Sequence, residues 1–96
     1  MNLHIVAVLK FKENHLLEAI EILRRLVNET RKEEGCLQYD LIEDHIRKGT
    51  FFIIEKWETD EHHFKHSESE HLKKFREEIS DIVEERTTVY KGYKSY

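Results

Sequence analysis

The chain has 96 residues, 39% hydrophobic and 38% charged, and its 20 acidic and 16 basic side chains leave a net charge of −4. That length holds one folded domain, expected to span residues 1–96, and excludes a second. Mixed charge signs argue against a nucleic-acid partner. A mean hydropathy of −0.72, with no apolar run near the ~18 residues of a bilayer crossing, excludes a membrane helix.

The opening Met1-Asn2-Leu3-His4-Ile5 lacks the basic, apolar and cleavage segments of a secretory leader, so a cytoplasmic location is expected. The single cysteine, Cys36, can form no internal disulfide and anchors no zinc framework. Stability must therefore come from apolar burial, and a chain this short favours self-association through any apolar face left over.

Residues 3–11 alternate, with Leu3, Ile5, Ala7, Leu9 and Phe11 on one strand face. The other face carries Val6 and Val8, so the strand wants cover on both sides: helices on one, a second subunit on the other. Asn14 is placed to cap a helix in which Leu16, Ala19, Ile20, Leu23, Leu26, Val27 and Thr30 form one apolar face. Gly35 suits its C-terminal end. Strands over 36–43 and 50–58, joined by the loop 44–49, read as an antiparallel hairpin.

Thr59-Asp60 opens a second helical region that Ser67-Glu68-Ser69-Glu70 splits, the serine capping the restart. Its second piece aligns Leu72, Phe75, Ile79, Ile82 and Val83. A last strand runs from Thr87 to Tyr93. The order β-α-β-β-α-β is an α+β, ferredoxin-like plan with a split second helix.

Three groups of residues carry a family resemblance. They are Glu34-Gly35-Cys36-Leu37-Gln38-Tyr39 after the first helix, Glu55-Lys56-Trp57-Glu58 closing the third strand, and His66 followed by His71 and Phe75. Over essentially the whole chain they resemble the antibiotic biosynthesis monooxygenase family, whose members include small quinol monooxygenases and the isomerase of phosphorylated autoinducer-2. The resemblance implies a protomer that pairs into a dimeric α+β barrel, a pocket between sheet and helices and, in many members, no metal or organic cofactor. The chain departs from the family where proline is usual, at Glu34 and Glu70; both are turns, so loop shape is affected more than chemistry. A haem-degrading branch uses asparagine, tryptophan and histidine where this chain has Ala7, His66 and Arg76, which argues against haem.

The resemblance puts His66 and His71 at a pocket mouth, where an imidazole suits proton transfer at neutral pH. Glu55 alternates with Phe51, Ile53 and Trp57 on one strand face, and an isolated carboxylate there is costly. It must hold a proton, pair with a cation or histidine, or meet a wet pocket. Trp57, Tyr39 and Phe75 are candidates for an aromatic slot, with ordinary core packing as the alternative. His62-His63-x-x-His66 puts imidazoles four residues apart on a helix, but spacing supplies no third ligand, so no metal is expected. Cys36 is expected as a small buried hydrophobe rather than a nucleophile.

The expected function is a cofactor-free, homodimeric monooxygenase acting with O₂ on a small electron-rich aromatic of quinol type. His71 or His66 is its base, Glu55 the orienter, and Trp57, Tyr39 and Phe75 the slot. The alternatives are an isomerase of a phosphorylated sugar and a non-catalytic ligand-binding barrel.

Overall fold

The strand alternation of residues 3–10 becomes the central strand of the sheet in a computed structural model that describes all 96 residues. In β1 (Leu3–Lys10), Leu3, Ile5, Ala7 and Leu9 are buried, while His4, Val6, Val8 and Lys10 are half-exposed. The helices α1 (Leu16–Thr30), α2 (Asp60–Ser67) and α3 (Glu70–Ile79) cover the first of these faces, and β2 (Cys36–Glu43), β3 (Thr50–Trp57) and β4 (Thr88–Tyr93) complete the sheet. Sheet order is β2-β3-β1-β4 with every neighbouring pair antiparallel, the ferredoxin-like arrangement. No helix is long and apolar enough to cross a membrane.

The core is one cluster of 17 residues between sheet and helices. Within it α1 contributes Ala19, Ile22, Leu23, Leu26 and Val27, whose three- and four-residue spacing turns one face to the sheet. Arg25 on its flank reaches Glu78 of α3 at 3.1 Å.

Three boundaries differ from the sequence expectation. Asn14 does not cap α1: it sits inside a single 3₁₀ turn, Glu13–His15, and no side chain caps either start. The first helix stops at Thr30, before Gly35, because the chain turns through residues 31–35 to enter β2. Ile82 and Val83 keep the apolar spacing of α3 but lie beyond its end. There the Ile82 carbonyl accepts from Lys12 N–H at 2.9 Å and Val83 bridges Phe11, so this segment pairs along the strand edge. The split of the second helix falls as expected: Ser69 Oγ accepts from Leu72 N–H and caps α3.

Gly35 is required by geometry. Its φ is +82°, and a Cβ there would lie 2.2 Å from Cγ of His62, while its carbonyl accepts from Glu58 N–H at 2.8 Å. Gly35→Ala is expected to destabilise the fold by about 1–3 kcal/mol, lowering the melting temperature by roughly 4–8 °C per kcal/mol. A calorimetric scan equal to wild type would contradict this.

Candidate active site

Alternation along β3 puts Phe51, Ile53, Glu55 and Trp57 on the helix-facing side, so Glu55 enters an apolar layer with only 5% of its surface exposed. Its Oε1 accepts a hydrogen bond from Trp57 Nε1 at 2.8 Å. Burial is the dominant influence and pushes the carboxyl up to about 7, against the indole hydrogen bond and the nearby Lys91 charge. Register pairs Tyr39 of β2 with Glu55, which places the buried phenol beside the Trp57 ring at 6.4 Å between centroids. Burial, then the Glu55 charge, holds that phenol protonated.

From above, α2 supplies two histidines three residues apart, and hence on one face. Thr59 fixes its start, its Oγ1 accepting from His62 N–H at 3.1 Å. His66, 2% exposed, lies over Trp57 with ring centroids 4.8 Å apart. His63 brings Nε2 to 4.0 Å from Glu55 Oε1. Burial, reinforced by the Lys91 charge, depresses His63 to about 4. Burial also lowers His66, with Glu33 pulling in the opposite direction.

The carboxylate that holds His66 is Glu33, from the turn after α1. Its Oε2 lies 2.6 Å from His66 Nδ1 and 2.9 Å from His71 Nε2. With Nδ1 engaged, Nε2 is the ring's free nitrogen. The break between α2 and α3 stabilises this arrangement, because Ser69 Oγ donates to the His66 carbonyl at 2.7 Å and also caps the turn that carries His71.

Sheet and helices enclose a cavity of about 250 Å³ with nine apolar residues among the fifteen that line it. Four of the six residues singled out from the sequence line it: Glu55, His66, Tyr39 and Phe75. Trp57 lies behind the wall, against Glu55 and His66. His71 does not line it; that ring faces a separate groove between α1 and α3, shares the Glu33 carboxylate with His66, and stands 6.0 Å from the His66 ring between centroids.

Sequence reasoning missed Glu33 and His63. The three-residue step from His66 was the available signal for His63, whereas Glu33 sits in a turn whose conformation no periodicity reveals. His62 does not join His66: its ring contacts Thr59 and approaches Glu34. Cys36, half-buried and with its thiol pushed up to about 11 mainly by burial, is a poor nucleophile.

The arrangement can therefore accept a proton at His66 Nε2, hold a proton on Glu55, and exclude bulk water from an apolar slot. The profile of the antibiotic biosynthesis monooxygenase family matches residues 2–78. The chain is 35% identical over 69 residues to Putative monooxygenase YcnE of Bacillus subtilis (strain 168), covering 72% of this chain and 73% of that one. Its fold is similar to the crystal structure of PA3566 from Pseudomonas aeruginosa, with TM-score 0.91, 28% identity and coverage of 99% and 95% of the two chains. It is also similar to a crystal structure of an antibiotic biosynthesis monooxygenase, with TM-score 0.93, 28% identity and coverage of 98% and 99%.

Proposed function

The chain belongs to the antibiotic biosynthesis monooxygenase family, and from that premise we propose that it is a cofactor-independent monooxygenase oxidising a small, electron-rich aromatic of quinol type with O₂. The observation that carries this reading is the His66 ring on the wall of an apolar cavity, with Nδ1 tied to Glu33 at 2.6 Å and Nε2 free. A buried imidazole oriented by a carboxylate is a positioned base.

In this reading the quinol hydroxyl gives its proton to His66 Nε2. The anion left is electron-rich enough to reduce O₂ directly, and a new C–O bond forms as a hydroperoxide. His66 passes its proton to the peroxide and then takes the proton from the same ring carbon, so that the C–H electron pair forms the carbonyl as the O–O bond breaks. The departing hydroxide takes the Glu55 proton to become water, and exchange with solvent resets both groups. One oxygen atom enters the product and the other leaves as water, with the quinol supplying the electrons.

Tyr39 and Phe75 form the slot and Trp57 backs it, while His71 steadies Glu33 from the solvent side. A cavity of about 150 Å³ accommodates benzene, so the larger volume here suits a substituted or two-ring aromatic. The autoinducer-type isomerase is disfavoured because a phosphate would meet a largely apolar wall with Arg76 as its one lining cation.

Oxygen consumption by the purified protein with a panel of quinols tests the reading. The expected result is uptake dependent on quinol and much reduced in folded His66→Ala; no uptake with any quinol would overturn it.

We also infer a cytoplasmic homodimer. Val6 and Val8 lie half-exposed on the sheet face that the helices leave open, and Tyr90, paired with Val6 on β4, is 63% exposed. Light scattering should give about twice the 11.7 kDa chain mass, and Val6→Glu should lower the dimer fraction. A monomer mass for wild type at micromolar concentration would rule the dimer out.

A further inference from the structure

Three donors from three separate elements meet beside the cavity: the Glu33 carboxylate in the turn after α1, His66 Nδ1 near the end of α2, and His71 Nε2 in the first turn of α3. All lie within 4.8 Å of one another. We infer that this triad binds one divalent cation of borderline softness, of the zinc and cobalt class.

The donor chemistry sets the class. Two imidazoles and one carboxylate favour zinc or cobalt over magnesium or calcium, which want an all-oxygen shell. Three protein ligands also leave a fourth position for water.

The three donors are near enough for one ion to draw them into its shell. Ligand atoms around tetrahedral zinc stand about 3.3 Å apart, and the two histidine nitrogens lie 2.6 and 2.9 Å from the shared Glu33 oxygen. These contacts need to open by about 0.4–0.7 Å, and the two histidine nitrogens, which lie within 4.8 Å of each other, to draw together by about 1.5 Å through side-chain rotation. The donors are held in advance, because Glu33 N–H donates to the Thr30 carbonyl at 2.9 Å and the Ser69 hydroxyl clamps the α2–α3 break. An ion can arrive from solvent, since the His71 and Glu33 side chains are 26% and 18% exposed.

One feature of the surroundings opposes the ion. Arg76, whose guanidinium donates to the Ser67 carbonyl, places a positive charge near His66. The Glu33 carboxylate, in direct contact with both rings, offsets it.

The consequence for catalysis rests on the role proposed for His66; the binding itself does not. A cation on Nδ1 requires the ring proton to sit on Nε2, which turns the cavity-facing base into a donor. Zinc would then inhibit turnover without contacting substrate.

Equilibrium dialysis and calorimetry with zinc chloride, together with the visible spectrum of the cobalt(II) form, test the site on the metal-free wild-type chain. The expected result is one ion per chain, a four-coordinate cobalt spectrum, affinity weakened at least about ten-fold in folded Glu33→Gln and His71→Gln, and no change in His62→Gln. Failure to bind zinc at about 1 mM would overturn the inference. So would unchanged affinity in both triad variants, or a loss confined to His62→Gln, which would put the ion on the His62 and Glu34 pair. None of these readouts needs substrate, so an inactive monooxygenase leaves them standing. Zinc that binds the triad without inhibiting an active enzyme would count against the role of His66 and not against the site.

Discussion

Replacing His66 by alanine is expected to lower kcat/KM for a quinol by about 10²–10⁴-fold, the usual worth of a positioned proton acceptor. His66 is the one histidine that both lines the cavity and has a carboxylate partner within hydrogen-bonding distance. Alanine also removes a ring packed on Trp57, so some stability is lost, and His66→Gln serves as the better-packed companion. Both must be compared per folded molecule by circular dichroism. Glu33→Gln is expected to lower kcat with little change in KM, because Glu33 positions the base without lining the cavity. The effect of His71→Ala should be smaller than that of His66→Ala, since His71 does not line the cavity and acts on His66 chiefly through Glu33. Steady-state oxygen uptake measures the series; equal turnover by folded His66→Ala and wild type would remove His66 from the mechanism.

The second large effect is on stability. Glu55 has an ordinary carboxyl value of 4.5 and is pushed by burial to about 7 in the fold. Below about 4.5 it is protonated in both states; between 4.5 and 7 the unfolded chain loses the proton first, so stability falls as pH rises and levels off above 7. That loss is about 3 kcal/mol. His63 has the opposite sign. Its value drops from 6.5 to about 4 on folding, so its contribution is present above 6.5 and is lost as pH falls toward 4.

The two slopes oppose each other over the shared range, and wild type should show a shallow profile there. Glu55→Gln keeps an oxygen acceptor for the Trp57 indole and exposes the His63 slope, so its stability should rise from pH 4 to 6.5 and then stay level. His63→Asn should show the reverse, declining up to pH 7. Urea midpoints across pH measure both. A Glu55→Gln curve parallel to wild type would mean that folding does not raise the Glu55 carboxyl.

The fold could be read from residue pattern because its elements are strongly periodic. The two-residue alternation of β1 and β3 and the Ser69 cap each correspond to one local geometry. Asn14 failed as a cap because an intervening 3₁₀ turn absorbed it, and Ile82 and Val83 kept helical spacing after the helix had ended, since a turn and a helix share contacts at three and four residues. In the site, the alternation of Glu55 with apolar neighbours correctly signalled a buried carboxyl. The partner of His66 was not legible. Glu33 is 33 residues away and meets the ring only because the turn after α1 folds under the α2–α3 break, a tertiary contact without a local signature.

The most direct test of the central claim, oxygen insertion at the His66 cavity, is mass spectrometry of the product formed from a quinol under ¹⁸O₂. The expected result is one heavy oxygen atom in the product, with labelled product nearly abolished in folded His66→Ala. Turnover that yields only unlabelled quinone, or labelled product formed at the wild-type rate by His66→Ala, would contradict it.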